Sequence, residues 1–323
     1  MQTFKAPLYS LAILLAVGAI FQFGVNPYIQ LLVLFTVVNS ILAMSLNLVN
    51  GYTGQFSLGH AGFMAIGAYV SAFLSTQSPL FSGAFAFIGI GFTTIAGGLL
   101  AAFAGYLVGL PSLRLKGDYL AIVTLGFGEI IRVALLNINA LGGPRGISGI
   151  PSLPNFFVSY TYAILWALVC FFVIWRLIKS SHGRGFLSVR EDEIAAEAMG
   201  IDTTKMKVRA FVLSSFFAGV AGALFAHVTN YISPSSFTFL MSVNAIIMVV
   251  LGGMGSMTGS ITAAIFITAM PEALRSLQDL TGVDLRMVIY SLLLILVMIL
   301  RPQGIFGEHE ITDLWRKYVR KSA

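Results

Sequence analysis

Long apolar runs, each ended by a short polar stretch, follow one another along almost the whole chain. Four of the clearest approach the roughly 20 apolar residues that cross a bilayer as a helix, and they cover residues 8–23, 31–49, 162–175 and 287–300. Their apolar residues are continuous and do not alternate with polar ones, which favours helices over the strands of a barrel. Because lipid cannot satisfy backbone hydrogen bonds, a spanning segment must be one or the other. The pattern therefore predicts an all-α polytopic membrane protein.

The basic residues between the apolar runs predict how the chain is oriented in the membrane. Fifteen of the 19 Lys and Arg fall in four places, namely Lys5, residues 114–116, residues 176–209 and residues 301–323. Cytoplasmic loops of membrane proteins carry an excess of Lys and Arg, so we assign these four places, and both termini, to the cytoplasm. An even number of crossings must then separate one place from the next.

Ten apolar units satisfy this condition. They lie at residues 8–24, 28–49, 57–75 and 83–110, in two units between 118 and 175, and at 209–231, 238–251, 256–273 and 285–300. The unit at 238–251 is too short to span at about 1.5 Å per residue. We therefore expect about eight to ten transmembrane helices, including Gly-broken or re-entrant segments. We also expect a single transmembrane domain, residues 1–323, that contains a cytoplasmic segment at 179–208.

The composition excludes a water-soluble globule and changes how the net charge is interpreted. The chain is 57% apolar and only 10% charged, whereas soluble domains carry roughly a quarter charged residues. A formal charge of +6 in a soluble protein would suggest a nucleic-acid partner. Here the charges lie in short loops beside spans, so the positive-inside rule explains them and we expect no nucleic-acid partner.

Two glycine-rich stretches, residues 50–62 and 252–259, interrupt apolar runs, one in each half of the chain. Paired interruptions of this kind point to broken helices and a central substrate path in transporters, where freed backbone groups can meet the substrate. The alternative is tight helix packing through small residues, which membrane interfaces use widely. The residues that we predict along the path are Gly51, Gly54, Gln55, Ser57 and His60 in the first stretch, Gly252 and Gly255 in the second, and Asn244 in the short apolar unit before the second.

Residues 176–209 form a highly charged stretch between two long apolar runs. Ser188 and Glu191 have the spacing of a capping box, and Gly200 is placed to end a helix as its C′ glycine. Together they predict a helix over 189–199, about 16 Å long. Its expected apolar face contains Ile194, Ala195, Ala198 and Met199, and the residues expected to cap the following helix are Asp202, Thr203 and Thr204. A short amphipathic helix between two spans suits a cytoplasmic partner, and the alternative is a solvated helix that has no partner.

Five stretches of the chain resemble known transport proteins. Residues 193–202, EIAAEAMGID, resemble the coupling segment of ATP-binding cassette (ABC) importer permeases. Four others resemble the branched-chain amino-acid permease family of the leucine/isoleucine/valine type: GYTGQFSLGHAGFMAIGAY at 51–69, LRLKGDYLAIVTLGFGEIIR at 113–132, GGPRGISGIP at 142–151 and AFVLSSFFAGVAGAL at 210–224. The stretches appear in order and cover nearly the whole chain. The Ile-x-Leu-Pro of the broad ABC pattern does not follow Gly200, as is also the case in the narrower family.

The resemblance implies a heteromeric importer of the bacterial inner membrane. Two related permeases would form the path, two ATPase subunits would bind their coupling helices, and an extracytoplasmic binding protein would deliver the amino acid. The implied coupling residues are Glu193, Ala195, Ala196, Glu197, Met199 and Gly200. The chain has no G-x-x-x-x-G-K-[ST] phosphate loop, so we expect the partner subunits to bind ATP and Mg²⁺, and no cofactor in this chain.

Ionisable residues inside the apolar units are few. Glu129 and Arg132 lie three apart on one predicted helix, close enough to pair, and such residues usually face the bundle interior or a water-filled cavity. Glu129 therefore lies on the substrate path or in a structural ion pair. Arg145, in a Gly/Pro-rich outer loop, is either a contact for the binding protein or part of a rigid turn. No catalytic or metal-ligand spacing is present, so we expect neither catalytic residues nor a metal site.

Two other transport functions stay open at this point. Permeases for urea or short amides look similar at the family level. An ion-coupled secondary transporter would share the apolar body, but it would have no obvious use for the charged helix.

Overall fold

The protein is a bundle of long helices. The computed structural model describes residues 18, 22, 25–77, 86–113, 115, 117–275, 286–301, 303–307 and 310. In chain order the α-helices of this part are α1 (Pro27–Asn50), α2 (His60–Gln77), α3 (Ala86–Ser112), α4 (Asp118–Asn137), α5 (Phe156–Ile178), α6 (Ser181–Glu191), α7 (Glu193–Ala198), α8 (Thr203–Thr229), α9 (Phe239–Gly252), α10 (Met257–Ala273) and α11 (Arg286–Leu300). The strands described are β1 (Ile147–Ser148) and β2 (Tyr231–Ile232).

Helix α8 lies at the centre of the bundle, where it packs against α1, α2 and α3. Glycines allow the backbones to approach closely there. A Cβ added to Gly222 would lie 1.9 Å from the backbone oxygen of Met64, and one added to Gly67 would lie 2.0 Å from that of Gly219. Helices in lipid gain packing energy from such small-residue contacts.

Within the described residues, six helices are long and apolar enough to cross a membrane: Pro27–Asn50, Phe87–Ser112, Asp118–Asn137, Phe156–Ile178, Thr203–Thr229 and Pro234–Gly252. The prediction of an all-α polytopic membrane protein is confirmed. The unit that seemed too short at 238–251 is extended by a 3₁₀ turn at Pro234–Ser236, so that it reaches 19 residues. The unit at 8–24 lies outside the described residues except for Gly18 and Gln22. The total of eight to ten crossings and the side on which the termini lie stay predictions.

The two ends of α8 carry different structures. The helix has 27 residues and is therefore about 40 Å long. Next to its N-terminal end lie the charged helices α6 and α7, both in contact with it. Its C-terminal end leads into β2, which pairs antiparallel with β1 in the register Ile147↔Ile232 and Ser148↔Tyr231. The charged segment and the Gly/Pro-rich loop that contains β1 thus lie at opposite ends of the bundle.

Candidate coupling and transport site

The charged segment forms two helices, so the prediction of one helix over 189–199 is wrong. Ser188 does not cap a helix: its hydroxyl donates to the carbonyl of Arg184, one turn back inside α6. Asp192 has extended backbone angles and separates α6 from α7. Its carboxylate accepts hydrogen bonds from the N–H groups of Ile194 and Ala195, at 2.9 and 3.0 Å. This is ordinary N-cap geometry, and it starts α7 at Glu193.

The predicted end of the coupling helix and the start of the next one are confirmed. Gly200 has a φ of +80°, and the N–H of Ile201 donates to the carbonyl of Ala196 at 3.0 Å, as in a Schellman motif. The carboxylate of Asp202 caps α8 by accepting from the N–H of Lys205 at 3.0 Å. Hydrogen bonds from the side chain and the backbone of Lys205 lower the pKa of Asp202, so the cap stays ionised at neutral pH.

Polar bonds attach α7 to the start of α8. The Lys207 ammonium lies 2.6 Å from a carboxylate oxygen of Glu193, and the Thr203 hydroxyl donates to Glu197 at 2.7 Å. Lys207 and Thr203 are both buried. Of the predicted coupling residues, Glu193 and Glu197 therefore attach α7 to α8. Ala196 is the buried residue of α7.

The opposite side of α7 is apolar and uncovered. Ile194 is 73% exposed and Met199 is 82% exposed. Ala195, Ala198 and Gly200 are exposed as well. The apolar face predicted from the sequence thus points away from the rest of the chain, on a segment whose other exposed side chains are mostly charged.

The two glycine-rich breaks meet, although about 200 residues separate them. The first follows α1 and the second joins α9 to α10. Asn47 lies in the last turn of α1, and its side-chain amide bonds to the second break: its nitrogen donates to the Ser256 carbonyl and to the Ser260 hydroxyl, each at 2.9 Å. Its oxygen accepts from the N–H of Gly255 at 2.9 Å. A Cβ on Gly51 would lie 2.4 Å from the Gly255 nitrogen, so the close approach requires glycine.

Arg190, near the end of α6, reaches the same junction. One of its guanidinium nitrogens donates to the carbonyl of Gly51 at 3.3 Å. A Cβ on Gly54 would lie 3.1 Å from the Arg190 Cγ, and one on Gly255 would lie 3.1 Å from Nη1. We call Gly51, Gly54, Gly255, Asn47 and Arg190 the glycine junction. Sequence reasoning found its glycines but missed the other two, because the only signals were one Asn in an apolar run and one Arg in a charged segment.

The residues after α11 close the second break. The N–H groups of Ile305 and Phe306 donate to the carbonyls of Leu251 and Gly252, at 2.8 and 3.2 Å. The carboxylate of Glu310 accepts from the N–H groups of Met257 and Thr258, where an anion at a helix N-terminus is favoured. The carbonyl of Gly252, one of the predicted path residues, therefore already accepts a hydrogen bond from the Phe306 N–H. The part played by Glu310 carries no local signal in the sequence.

Three further predicted path residues lie buried just before or at the start of α2. The His60 ring lies 2.8 Å from the Ser45 hydroxyl. In the described part of the chain, the side-chain amide of Gln55 and the hydroxyl of Ser57 have no hydrogen-bond partner. A buried polar group without a partner costs about 1–3 kcal/mol. A place for Gln55 and Ser57 on the substrate path stays a prediction.

Glu129 pairs with Arg132 as predicted, at 2.7 Å, and it lies near the start of α2. It borders a small cavity together with residues of α2, α4 and α9, among them Ala61, Gly62, Gly128 and Ser242. Asn244 lies elsewhere on α9, on its exposed side. The structure therefore places Gly51, Gly54 and Gly255 in the glycine junction and Gly252 at the end of α9. The other predicted path residues lie around the start of α2 or, for Asn244, on an outer face of α9.

Arg145 is exposed in the loop at the other end of the bundle. Its backbone carbonyl accepts from the Tyr231 hydroxyl at 3.0 Å, and the β1–β2 ladder holds the loop. A defined turn is present, and the contact with a binding protein stays a prediction.

Comparison with known proteins identifies the family. Residues 28–298 match the family model described as "Branched-chain amino acid transport system / permease component". The chain belongs to this family of transport permeases.

Individual relatives agree with this assignment. The high-affinity branched-chain amino acid transport system permease proteins LivM of Salmonella typhimurium and Escherichia coli are each 39% identical to this chain, over 94% of it and 75% of their own length. The permease LivH of Escherichia coli, from the system of the same name, is 27% identical over 84% of this chain and 92% of its own length. No solved structure matched the chain.

Proposed function

We propose that this chain is a permease subunit of an ABC importer that carries branched-chain amino acids across a bacterial inner membrane. The observation that carries the proposal is the 39% identity, over 94% of the chain, to permeases named for branched-chain amino acid transport. The apolar body supports the same substrate class, since an amino acid with an apolar side chain needs few charged ligands along its path. The chain itself performs translocation and no covalent chemistry.

Separate ATPase subunits drive the transport in this proposal, and they bind α7. A six-residue helix is too short to be stable by itself, yet this one is capped at both ends and bonded to α8 through Glu193. Its uncovered Ile194 and Met199 suit an apolar groove on a partner. ATP-driven closure of the ATPases would move α7, and α8 and α6 would pass this movement into the membrane body.

A second, related permease completes the path. Relatives named LivM and LivH carry the same transport-system name, which supports a pair of unlike permeases. In this chain the six apolar helices differ in the share of buried residues within the most apolar 18 residues of each. This share is 22% for α4, the lowest of the six, and 72% for α8.

The second permease lies against α4 in this proposal. The side chains of Arg132 and Glu129 are 28% and 35% exposed, and Glu129 is the twelfth of the 20 residues of α4. A charged residue at the bilayer centre costs at least about 2.5–3.5 kcal/mol in lipid, so this face belongs against protein or water. The path then runs between the two permeases, beside the start of α2 with Gln55 and Ser57.

An extracytoplasmic binding protein delivers the substrate at the opposite end. This end carries the β1–β2 ladder, and Arg145 presents a positive charge to an acidic docking surface. The four basic clusters, and with them both termini, lie on the cytoplasmic side in this arrangement.

Uptake of radiolabelled leucine tests the proposal. The importer is purified through a tag on this chain with the subunits that accompany it, and it is reconstituted into vesicles. We expect uptake that requires ATP and the binding protein and that unlabelled isoleucine and valine reduce. Uptake of radiolabelled urea but not of leucine by the same vesicles would assign the chain to amide transport. Uptake that persists without ATPases and collapses with an ion gradient would assign it to secondary transport.

A further inference from the structure

Arg190 lies where the coupling segment and the membrane body come closest. It stands in the last turn of α6, two residues before the Asp192 that caps α7. Its side chain is only 19% exposed, whereas that of its neighbour Glu191 is 69% exposed. A long basic side chain from a charged surface helix has therefore turned into the protein, away from water.

The guanidinium is held in a fixed orientation. Its Nε and Nη2 donate to one carboxylate oxygen of Glu191, at 3.0 and 2.6 Å. This leaves Nη1 directed at the carbonyl of Gly51, 3.3 Å away. Hydrogen bonds of a charged donor are roughly twice as strong as neutral ones, and the planar group loses little freedom when it forms several of them at once.

The surrounding glycines provide the space that this side chain occupies. A Cβ on Gly54 would lie 3.1 Å from the Arg190 Cγ, and a Cβ on Gly255 would lie 3.1 Å from Nη1. Both glycines have positive φ, +68° and +90°. The stem of the arginine thus passes Gly54, and its head lies between the two breaks.

Because the breaks are bonded to each other, Arg190 acts on both. Asn47 joins the first break to Gly255 and Ser256 of the second. The first break connects α1 to α2, and the second connects α9 to α10. One side chain next to α7 therefore touches the connections of four membrane helices.

We propose that Arg190 is a positioning residue that transmits the movement of α7 to the two glycine breaks during transport. This inference rests on the proposed function. When α7 is pulled, α6 moves with it, and the guanidinium carries Gly51 and Gly255 along because it is bonded to one and packed against the other. The breaks yield where intact helices would resist, since glycine permits backbone changes that other residues do not.

The test compares Arg190→Ala and Arg190→Lys in the assembled importer with the matched control Arg184→Ala, an exposed arginine on the same helix. Four quantities are measured: co-purification of the ATPases, basal ATP hydrolysis, its stimulation by substrate-loaded binding protein, and leucine uptake. For Arg190→Ala we expect unchanged assembly and basal hydrolysis. Stimulation and uptake should fall about tenfold or more, because the variant loses one charge-assisted hydrogen bond and the packing of the side chain. Arg190→Lys should fall in between, because it keeps the charge but not the planar fork. The control should behave as wild type.

A second variant covers the case in which Arg190→Ala does not assemble. Glu191→Gln changes an exposed side chain and weakens the bonds that orient the guanidinium, so it should lower stimulation while assembly and basal hydrolysis remain. Wild-type stimulation and uptake in Arg190→Lys and Glu191→Gln would overturn the proposal. So would an Arg190→Ala importer that assembles and transports normally. A wild-type importer without ATP-dependent leucine uptake would instead overturn the proposed function, whatever the variants do.

Discussion

Single polar side chains hold together parts of this protein that are distant in sequence. Asn47 bonds two glycine breaks, Lys207 bonds α7 to α8, and Glu310 caps α10. Each is a strong donor or acceptor in a place with little water, where an unmade bond is expensive. The loss of one such side chain therefore matters more than its small size suggests.

Replacement of Asn47 by Ala should destabilise the protein more than the same change at Asn39. The variant leaves the buried N–H of Gly255 without its partner, at a cost of about 1–3 kcal/mol. It also removes the bonds from Asn47 to the Ser256 carbonyl and the Ser260 hydroxyl. Asn39 lies on the same helix but forms one side-chain bond, to Thr268 at 3.0 Å. Thermal unfolding in detergent measures both. Equal losses at the two sites would show that the bonds across the junction contribute nothing special.

Glu193→Ala should detach α7, whereas Glu197→Ala should be mild. Without Glu193 the buried Lys207 ammonium loses its carboxylate at 2.6 Å. We expect a loss below the roughly 3–5 kcal/mol typical of a fully buried pair, because the Glu193 side chain is 24% exposed. The Glu197→Ala variant loses only the hydrogen bond from the Thr203 hydroxyl. Limited proteolysis within residues 193–202 reports the detachment, and equal cleavage of both variants would contradict this account.

At the scale of elements, capping decides where α7 begins. The sequence contains two suitable caps four residues apart, Ser188 and Asp192. An aspartate at an N-cap bonds the first amides and also matches the helix dipole, and in the structure Asp192 takes this place while Ser188 lies inside α6. The end of α7 at Gly200 was predicted correctly, because a helix that ends in this way needs a residue with positive φ, and glycine adopts positive φ without strain.

The exposed apolar side chains of α7 provide a test of docking. The double variant Ile194→Glu, Met199→Glu places charges where we expect a partner's apolar groove, so the ATPases should no longer co-purify with the chain. Both side chains are more than 70% exposed, so the fold itself should remain. Arg184→Glu, on the exposed side of α6, serves as the control. Normal co-purification of the double variant would place the ATPase contact elsewhere.

For the whole molecule, the two ends of α8 carry different structures, and several helices present exposed side chains along the sides of the bundle. The charged helices lie at one end and the β1–β2 ladder at the other. Between them, α3 presents apolar side chains such as Phe92, Leu99 and Phe103 outward, which suits lipid. Helix α4 also presents apolar side chains, Ile122 and Ile130. It adds an ion pair and an open notch at Gly126, where a Cβ would meet nothing within 4 Å.

A photo-crosslinker at position 126 should therefore capture the second permease. The residue is introduced as Gly126→Cys and labelled with a benzophenone, which the open notch accommodates. The matched control is Leu99→Cys on α3, 58% exposed, and it should crosslink to lipid. Capture of the second permease from position 99 and not from 126 would reverse the assignment of the two faces.

The sequence by itself determined the class of element, the existence of the breaks and the ends of α7 and α8 at Gly200 and Asp202. These follow from local rules: an apolar run must be helical in lipid, glycine permits positive φ, and an aspartate caps the helix that follows it. Only the tertiary structure decided that the two breaks meet, that Arg190 and Asn47 bind them, and that α4 is the least buried of the six helices long and apolar enough to span. Contacts between residues about 140 and 200 positions apart depend on how helices pack, and packing through small residues leaves no periodic signal in the sequence that names the partner.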